Sequence, residues 1–266
     1  AADLDMVKLI DQQLSRWQKN DAVVAVLMRG AGDKAFCAGG DIRKIYNSMI
    51  AEGDERYQYA DAFFTGEYGK NYRVHLFPKP LIAWGNGFVM GGGLGLFIGA
   101  NHRVGTETLK LAWPEIRIGL FPDVAGSWYL SRLPYPYGHW MGLSGSHFNA
   151  LDAKRLAFIQ YALPHAQQQT VLEQLAALPW QANVAENHRL VRELLKEQEN
   201  TDLMPASQIA TSADELAQLF NGSSLKEYDQ ALRSYQGEHA WLKQGISHYL
   251  AGCPATAHVV MEQIAR

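Results

Sequence analysis

Glu115 and Asp123 are the residues of this 266-residue chain whose surroundings best suit acid–base or nucleophilic chemistry. Glu115 stands in Trp113-Pro114-Glu115-Ile116 and Asp123 in Leu120-Phe121-Pro122-Asp123-Val124, so both acids sit in Gly- and Pro-punctuated loops among apolar side chains. Removal from water penalises the ionised form and raises a carboxyl pKa, which prepares it for acid, base or nucleophile work near neutrality. Upstream, Gly91-Gly92-Gly93 opens a helical stretch. Glycine costs a helix about 1 kcal/mol relative to alanine, so three in a row point to a steric use. Backbone without Cβ admits a ligand against free N–H groups at a helix start, where negative charge is favoured. A tight helix–sheet contact for the glycines, and ordinary loop positions for the acids, are the competing readings.

The flanking elements must hold these groups in place. Leu81 to Trp84 reads as a buried strand that turns sharply at Gly85-Asn86-Gly87. Helical spacing of Val7, Ile10, Leu14 and Trp17 predicts a first helix over 4–19, and the apolar run 22–28 predicts a buried strand. Residues 35–41 read as a small-residue loop, with Asp41 as N-cap of the helix carrying Ile42, Ile45 and Met49. Aromatic-rich 57–77 predicts a long helix packing one side, broken by Pro78 and Pro80. From about Ala150 strand signals disappear and helical periods take over, among them 184–197, 213–220, 241–250 and 255–264.

Composition narrows the function classes. An apolar fraction of 47% and a charged fraction of 19% are those of a soluble globular protein and exclude a disordered chain. Net charge −3 and pI near 6.3 give no basic field, so no nucleic-acid partner is expected. Cys37 and Cys253 form no CxxC and no zinc spacing; a reducing compartment and no metal are expected. The apolar runs are too short for a membrane span or a signal peptide, so neither membrane insertion nor export is expected. GxGxxG fails around Gly85 to Gly91, and GxSxG fails at Ser146, against a Rossmann enzyme and an α/β-hydrolase.

Four segments resemble the enoyl-CoA hydratase/isomerase (crotonase) superfamily: KAFCAGGDI at 34–42, PKPLIAWGNGFVMGGGLGL at 78–96, HRVGTETLKLAWPEIRIGLFPDVAG at 102–126, and the helical segment near 150–156. The resemblance implies an α/β fold, a crotonase-like spiral of ββα units over 1–165 with a C-terminal helical region over 166–266. It implies an acyl-CoA thioester as substrate and no separate cofactor, coenzyme A being part of the substrate. The oxyanion hole would be the backbone N–H groups of Gly40 and Gly92, with Ala38 and Asp41 beside the substrate. Relatives of this superfamily commonly form trimers or hexamers, so a homo-oligomer is expected by analogy, in the cytoplasm or in the mitochondrial matrix of a eukaryote.

The departures are informative. Hydratases of the superfamily carry a first glutamate where this chain has Gly95, while the second is kept as Glu115. Glu115 together with Asp123 in LFPD resembles the 3-hydroxyisobutyryl-CoA hydrolases, and FFTGEYGKNY resembles their segment that places an acid, here Glu67, near the substrate. Glu115 would attack the thioester or activate water; Asp123 would orient the 3-hydroxyl or stabilise and protonate during turnover. A hydratase or isomerase using Glu115 alone, and a non-catalytic acyl-CoA-binding or assembly subunit, are the alternatives. Both ends are short against the family pattern. Lys34 and Arg43 border the Gly40 loop and are either contacts for CoA phosphates or solvated surface charges.

Overall fold

The computed structural model describes residues 1–50 and 56–266. α1 (Leu4–Gln18) is capped by Asp3, whose side chain accepts from Met6 N, and it buries Val7 and Leu14. The chain then repeats one pattern three times: a strand in a first sheet, a strand in a second sheet, and a helical segment. The first turn is β1 (Val26–Arg29), β2 (Ala35–Cys37), α2 (Ile42–Met49) and α3 (Gln58–His75). The second is β3 (Leu81–Gly85), β4 (Phe88–Met90) and α4 (Gly92–Ile98). The third is β5 (His102–Gly105), β6 (Lys110–Ala112), a 3-10 turn at Glu115–Ile118 and α5 (Gly126–Leu130). α6 (Tyr137–Ser144) and α7 (Ala150–Arg155) lead to β7 (Tyr161–Ala162). One sheet runs β1-β3-β5-β7 and the other β2-β4-β6, with every pair parallel.

This is the ββα spiral that the resemblance implies, and its topology places the chemistry. β4 lies between β2 and β6, so the segments leaving their C-terminal ends emerge side by side. Those segments are the loop 38–41, the start of α4 and the Trp113–Glu115 stretch. Ligand sites in parallel sheets gather at such strand ends.

Helices follow: α8 (Gln168–Ala176), α9 (Val184–Glu197), α10 (Gln208–Thr211), α11 (Ala213–Leu219), α12 (Leu225–Arg233), α13 (Ala240–Ala251) and α14 (Pro254–Ala265). They cover the spiral from two sides. Val171, Val191 and Leu195 of α8 and α9 pack on Ile82, Trp84 and Val104 of the larger sheet. Phe220, Trp241, Leu242 and Val260 join Leu111, Trp113 and Trp140 in the main core. Among the described residues no helix is long and apolar enough to cross a membrane.

Several expectations need correction. Residues 35–37 are strand β2, and β7 lies beyond Ala150. Both are too short for an alternating pattern to show, and they are made by pairing with β4 and β5. The strand expected at 22–28 is confined to Val26–Arg29, where β3 supplies partners. The long helix expected over 57–77 is α3, and it packs one side: Ala60, Phe63, Glu67, Lys70 and Val74 form the buried stripe, with Tyr59 and Phe64 partly buried beside Phe63, while Tyr68 and Tyr72 are exposed.

Candidate active site

A cavity of about 80 Å³ opens at the ends of β2, β4 and β6, and Ala38, Gly40, Glu67, Gly92, Glu115 and Asp123 all line it. Phe63, Phe64 and Ile118 supply apolar wall. Asp41 is not in the lining; its carboxylate caps α2 instead, accepting from Lys44 N at 3.1 Å. Lys34 and Arg43 do not line it either: Lys34 borders a separate groove with Phe88 and Lys110, and Arg43 is exposed on α2.

The Gly40 loop is tied down on both sides. Ala2 N donates to Gly39 O and Asp41 N donates to Ala2 O, each at 2.8 Å, which leaves Gly40 between two anchored peptides. Gly92 is the first residue of α4, so its N–H has no acceptor within the helix. Of the two uses considered for the glycine triplet, the structure shows close packing. A Cβ on Gly91, whose φ is +50°, would lie 2.8 Å from Glu115 Oε1, and one on Gly92 would lie 2.2 Å from Glu67 Oε1. Only bare backbone lets both carboxylates approach the helix start. At Gly93 the obstacle is Cys37 O at 2.2 Å, a helix–sheet contact.

Glu115 opens the 3-10 turn rather than lying in a loop, and it is 4% exposed. Its Oε2 has no hydrogen-bond partner among the described residues. Burial pushes its pKa up to about 8; its own backbone N–H pulls down, and the charges of Asp123 and Glu67 push further up. Glu67, on the buried stripe of α3, is pushed up to about 7 by burial, with Lys70 pulling down and Asp123 pushing up. Asp123 is also pushed up by burial, against a hydrogen bond from Tyr68, whose hydroxyl donates to Oδ2 at 2.8 Å. Three carboxyl groups in one another's field cannot all ionise freely, and their protons come off as a coupled set. Such a site can hold and release a proton near neutrality.

Gly95 faces no open space. A Cβ there would meet Val124 Cβ at 2.4 Å and Asn71 Nδ2 at 2.9 Å. A glutamate cannot be restored at that position without moving the segment that carries Asp123.

The acids have two further neighbours outside the cavity lining, Tyr68 and Lys70. Both lie in FFTGEYGKNY, and the signal that marks Lys70 was the helical spacing 60, 63, 67, 70, 74, which puts two ionisable residues on an otherwise apolar stripe. His102, by contrast, is structural: its Nε2 meets His188 Nδ1 at 2.9 Å away from the cavity. Among the described residues no cluster of three or more His, Cys, Asp or Glu is arranged to hold a metal.

Paired parallel sheets wound as a ββα spiral, with carboxyl groups facing glycine N–H groups at the strand ends, define the crotonase class of fold. The chain belongs to the enoyl-CoA hydratase/isomerase family, whose model matches residues 1–266. It is 33% identical over 249 residues to the mitochondrial 3-hydroxyisobutyryl-CoA hydrolase of Xenopus tropicalis, covering 92% of this chain and 62% of that one. It is 27% identical over 274 residues to the small ribosomal subunit protein mS47 of Neurospora crassa, covering 97% of this chain and 53% of that protein. Among solved structures it is similar to a carnitinyl-CoA dehydratase from Mycobacterium thermoresistibile, with TM-score 0.84 and 30% identity, over 100% of this chain and 73% of that one. The chain thus spans less than two thirds of the length of the Xenopus hydrolase.

Proposed function

We propose that the chain hydrolyses a short 3-hydroxyacyl-CoA thioester, 3-hydroxyisobutyryl-CoA in the first instance, to the free acid and CoA. The observation that carries this reading is Glu115, buried with one oxygen unpartnered, in a cavity it shares with Asp123 and Glu67, while Gly95 is closed off by Val124. The Gly40 and Gly92 N–H groups polarise the thioester carbonyl; preorganised donors of this kind are each worth about 3 to 4 kcal/mol to an oxyanion. Glu115 then attacks the carbonyl carbon to give a mixed anhydride, which water opens to the free acid and the restored Glu115 carboxyl, or it takes a proton from a water that attacks directly; in both routes the C–S bond breaks and the thiolate leaves with its electron pair. Asp123, oriented by Tyr68, holds the 3-hydroxyl or returns the proton to the leaving thiolate. Coenzyme A enters as part of the substrate and no other cofactor takes part. The small cavity suits a short acyl group.

The test follows free thiol from 3-hydroxyisobutyryl-CoA beside loss of the conjugated absorbance of crotonyl-CoA. Thiol release without hydration supports the reading; hydration without thiol release replaces it with a hydratase working through Glu115. A second reading, a non-catalytic assembly subunit, is favoured by the likeness to the ribosomal protein mS47. It predicts that CoA esters raise the melting temperature while neither reaction occurs.

A further inference from the structure

Lys70 is only 2% exposed, among the most buried large side chains of the protein, and it shares the inner stripe of α3 with Glu67 one turn earlier. Residues three apart on a helix stand over one another, so the ammonium and the carboxylate face the same interior. No carboxylate oxygen lies within 4 Å of that ammonium among the described ion pairs. Asp11 of α1, the other acid in its vicinity, is bound by Arg73 Nε at 2.6 Å. The Cys37 thiol at the end of β2 is the remaining titratable group in its field. On the cavity side Glu67 faces Glu115 and Asp123, and Asp123 is bonded by Tyr68. Glu67 is thus the carboxylate that joins the acid cluster to a buried cation, and its Oε1 is also the atom pressed against Gly92 at the start of α4.

A buried ammonium with no close ion pair among the described residues is expensive: burial pushes the Lys70 pKa down while Glu67 pulls it back up, and an apolar side chain would fill the stripe more cheaply. We infer that Lys70 is a positioning residue for the site: one helical turn from Glu67, it supplies the positive charge that holds the Glu67 carboxylate beside Gly92. It touches neither substrate nor reacting atoms. Its action runs through Glu67, whose charge acts in turn on Glu115. This role rests on the hydrolase reading only for its consequence in turnover; the coupling of the two side chains stands apart from any substrate.

The test reads that coupling directly. In protein labelled with ¹³C at glutamate carboxyl carbons, with Glu67→Gln assigning the signal, Glu67 is titrated in the wild type, Lys70→Met and Lys70→Arg. The midpoint is expected to rise by roughly one pH unit or more in Lys70→Met, the usual effect of losing an adjacent opposite charge, and to return towards the wild-type value in Lys70→Arg. A Lys70→Met protein whose Glu67 midpoint is unmoved would overturn the inference. If that variant does not fold, the same coupling is read from the other side: the Lys70 ammonium, followed by ¹⁵N in Glu67→Gln, must titrate at lower pH than in the wild type, and an unchanged midpoint is equally fatal. If the enzyme is the hydrolase proposed, the pH profile of thiol release moves with Glu67 in the same variants. A moved titration with no thiol release from any variant sinks the hydrolase reading and leaves the Lys70–Glu67 coupling standing.

Discussion

Two of the buried acids, Asp152 and Glu115, meet opposite fates. Asp152, fully buried in α7, accepts from Asn149 N at 3.1 Å, Ser207 Oγ at 2.7 Å and Ile209 N at 3.1 Å, and so fastens α7 to α10. Glu115, almost as buried, has an oxygen with no partner and stands in a cavity. Burial pushes both carboxyl groups up, but at Asp152 four hydrogen bonds pull against it, while at Glu115 only its own backbone N–H does and two negative neighbours add to the push. A buried acid whose lone pairs are filled is a structural joint; one left unfilled is held ready to exchange a proton.

The largest expected effect sharpens that contrast. Glu115→Gln should lower thiol release from 3-hydroxyisobutyryl-CoA by about 1,000-fold with circular dichroism unchanged, since general base or nucleophile work contributes on this order. Asp152→Ala should do the reverse, losing about 3 kcal/mol in urea unfolding because Ser207 and two backbone N–H groups are left unpaired. If Asp152→Ala proves nearly neutral, the distinction between joint and poised acid fails.

The pH dependence follows in sign from the same difference. The Glu115 carboxyl ordinarily titrates near 4.5 and is pushed up to about 8 in the fold, so its contribution is fully present below pH 4.5 and is lost as pH rises towards 8. Urea midpoints measured from pH 5 to pH 8 should fall, and Glu115→Gln should flatten that fall. Over the same window turnover should rise, because the proposed step needs the ionised form.

Smaller effects test the supports. Tyr68→Phe removes the hydroxyl donor to Asp123 and should lower turnover about tenfold, the value of roughly 1.4 kcal/mol for a bond to a charged group at a partly exposed site. Ala125, whose φ is +70°, follows Val124 at +41° on the segment carrying Asp123. Replacing Ala125 with Gly should raise stability by about 0.5 kcal/mol, the left-handed strain of an alanine less the extra freedom glycine gains unfolded. A lower melting temperature would show that the strain is not there.

Much of this was legible in advance because it is local. Helix 184–197 was read at its true bounds, and Asp41 was read as the cap it is, since periodicity and capping reside in neighbouring residues. The buried run at Leu81 was equally plain. Strands of two or three residues are not legible, because their existence depends on partners that arrive from other turns of the spiral. The same holds at the cavity. Apolar neighbours mark Glu115 and Asp123 and a motif marks Glu67, whereas a lone lysine such as Lys70 on a helix is ordinarily a surface charge, and only packing shows it buried.

From its residues alone this chain determined the helical periods, the glycine triplet that admits close approach, and the candidate acids, all properties of short segments. The tertiary structure decided which acids are desolvated together, that Gly95 is closed by Val124, and that a cation lies beneath Glu67. Burial and charge proximity are set by side chains far apart in the chain, and only the stacking of β2, β4 and β6 brings them within range.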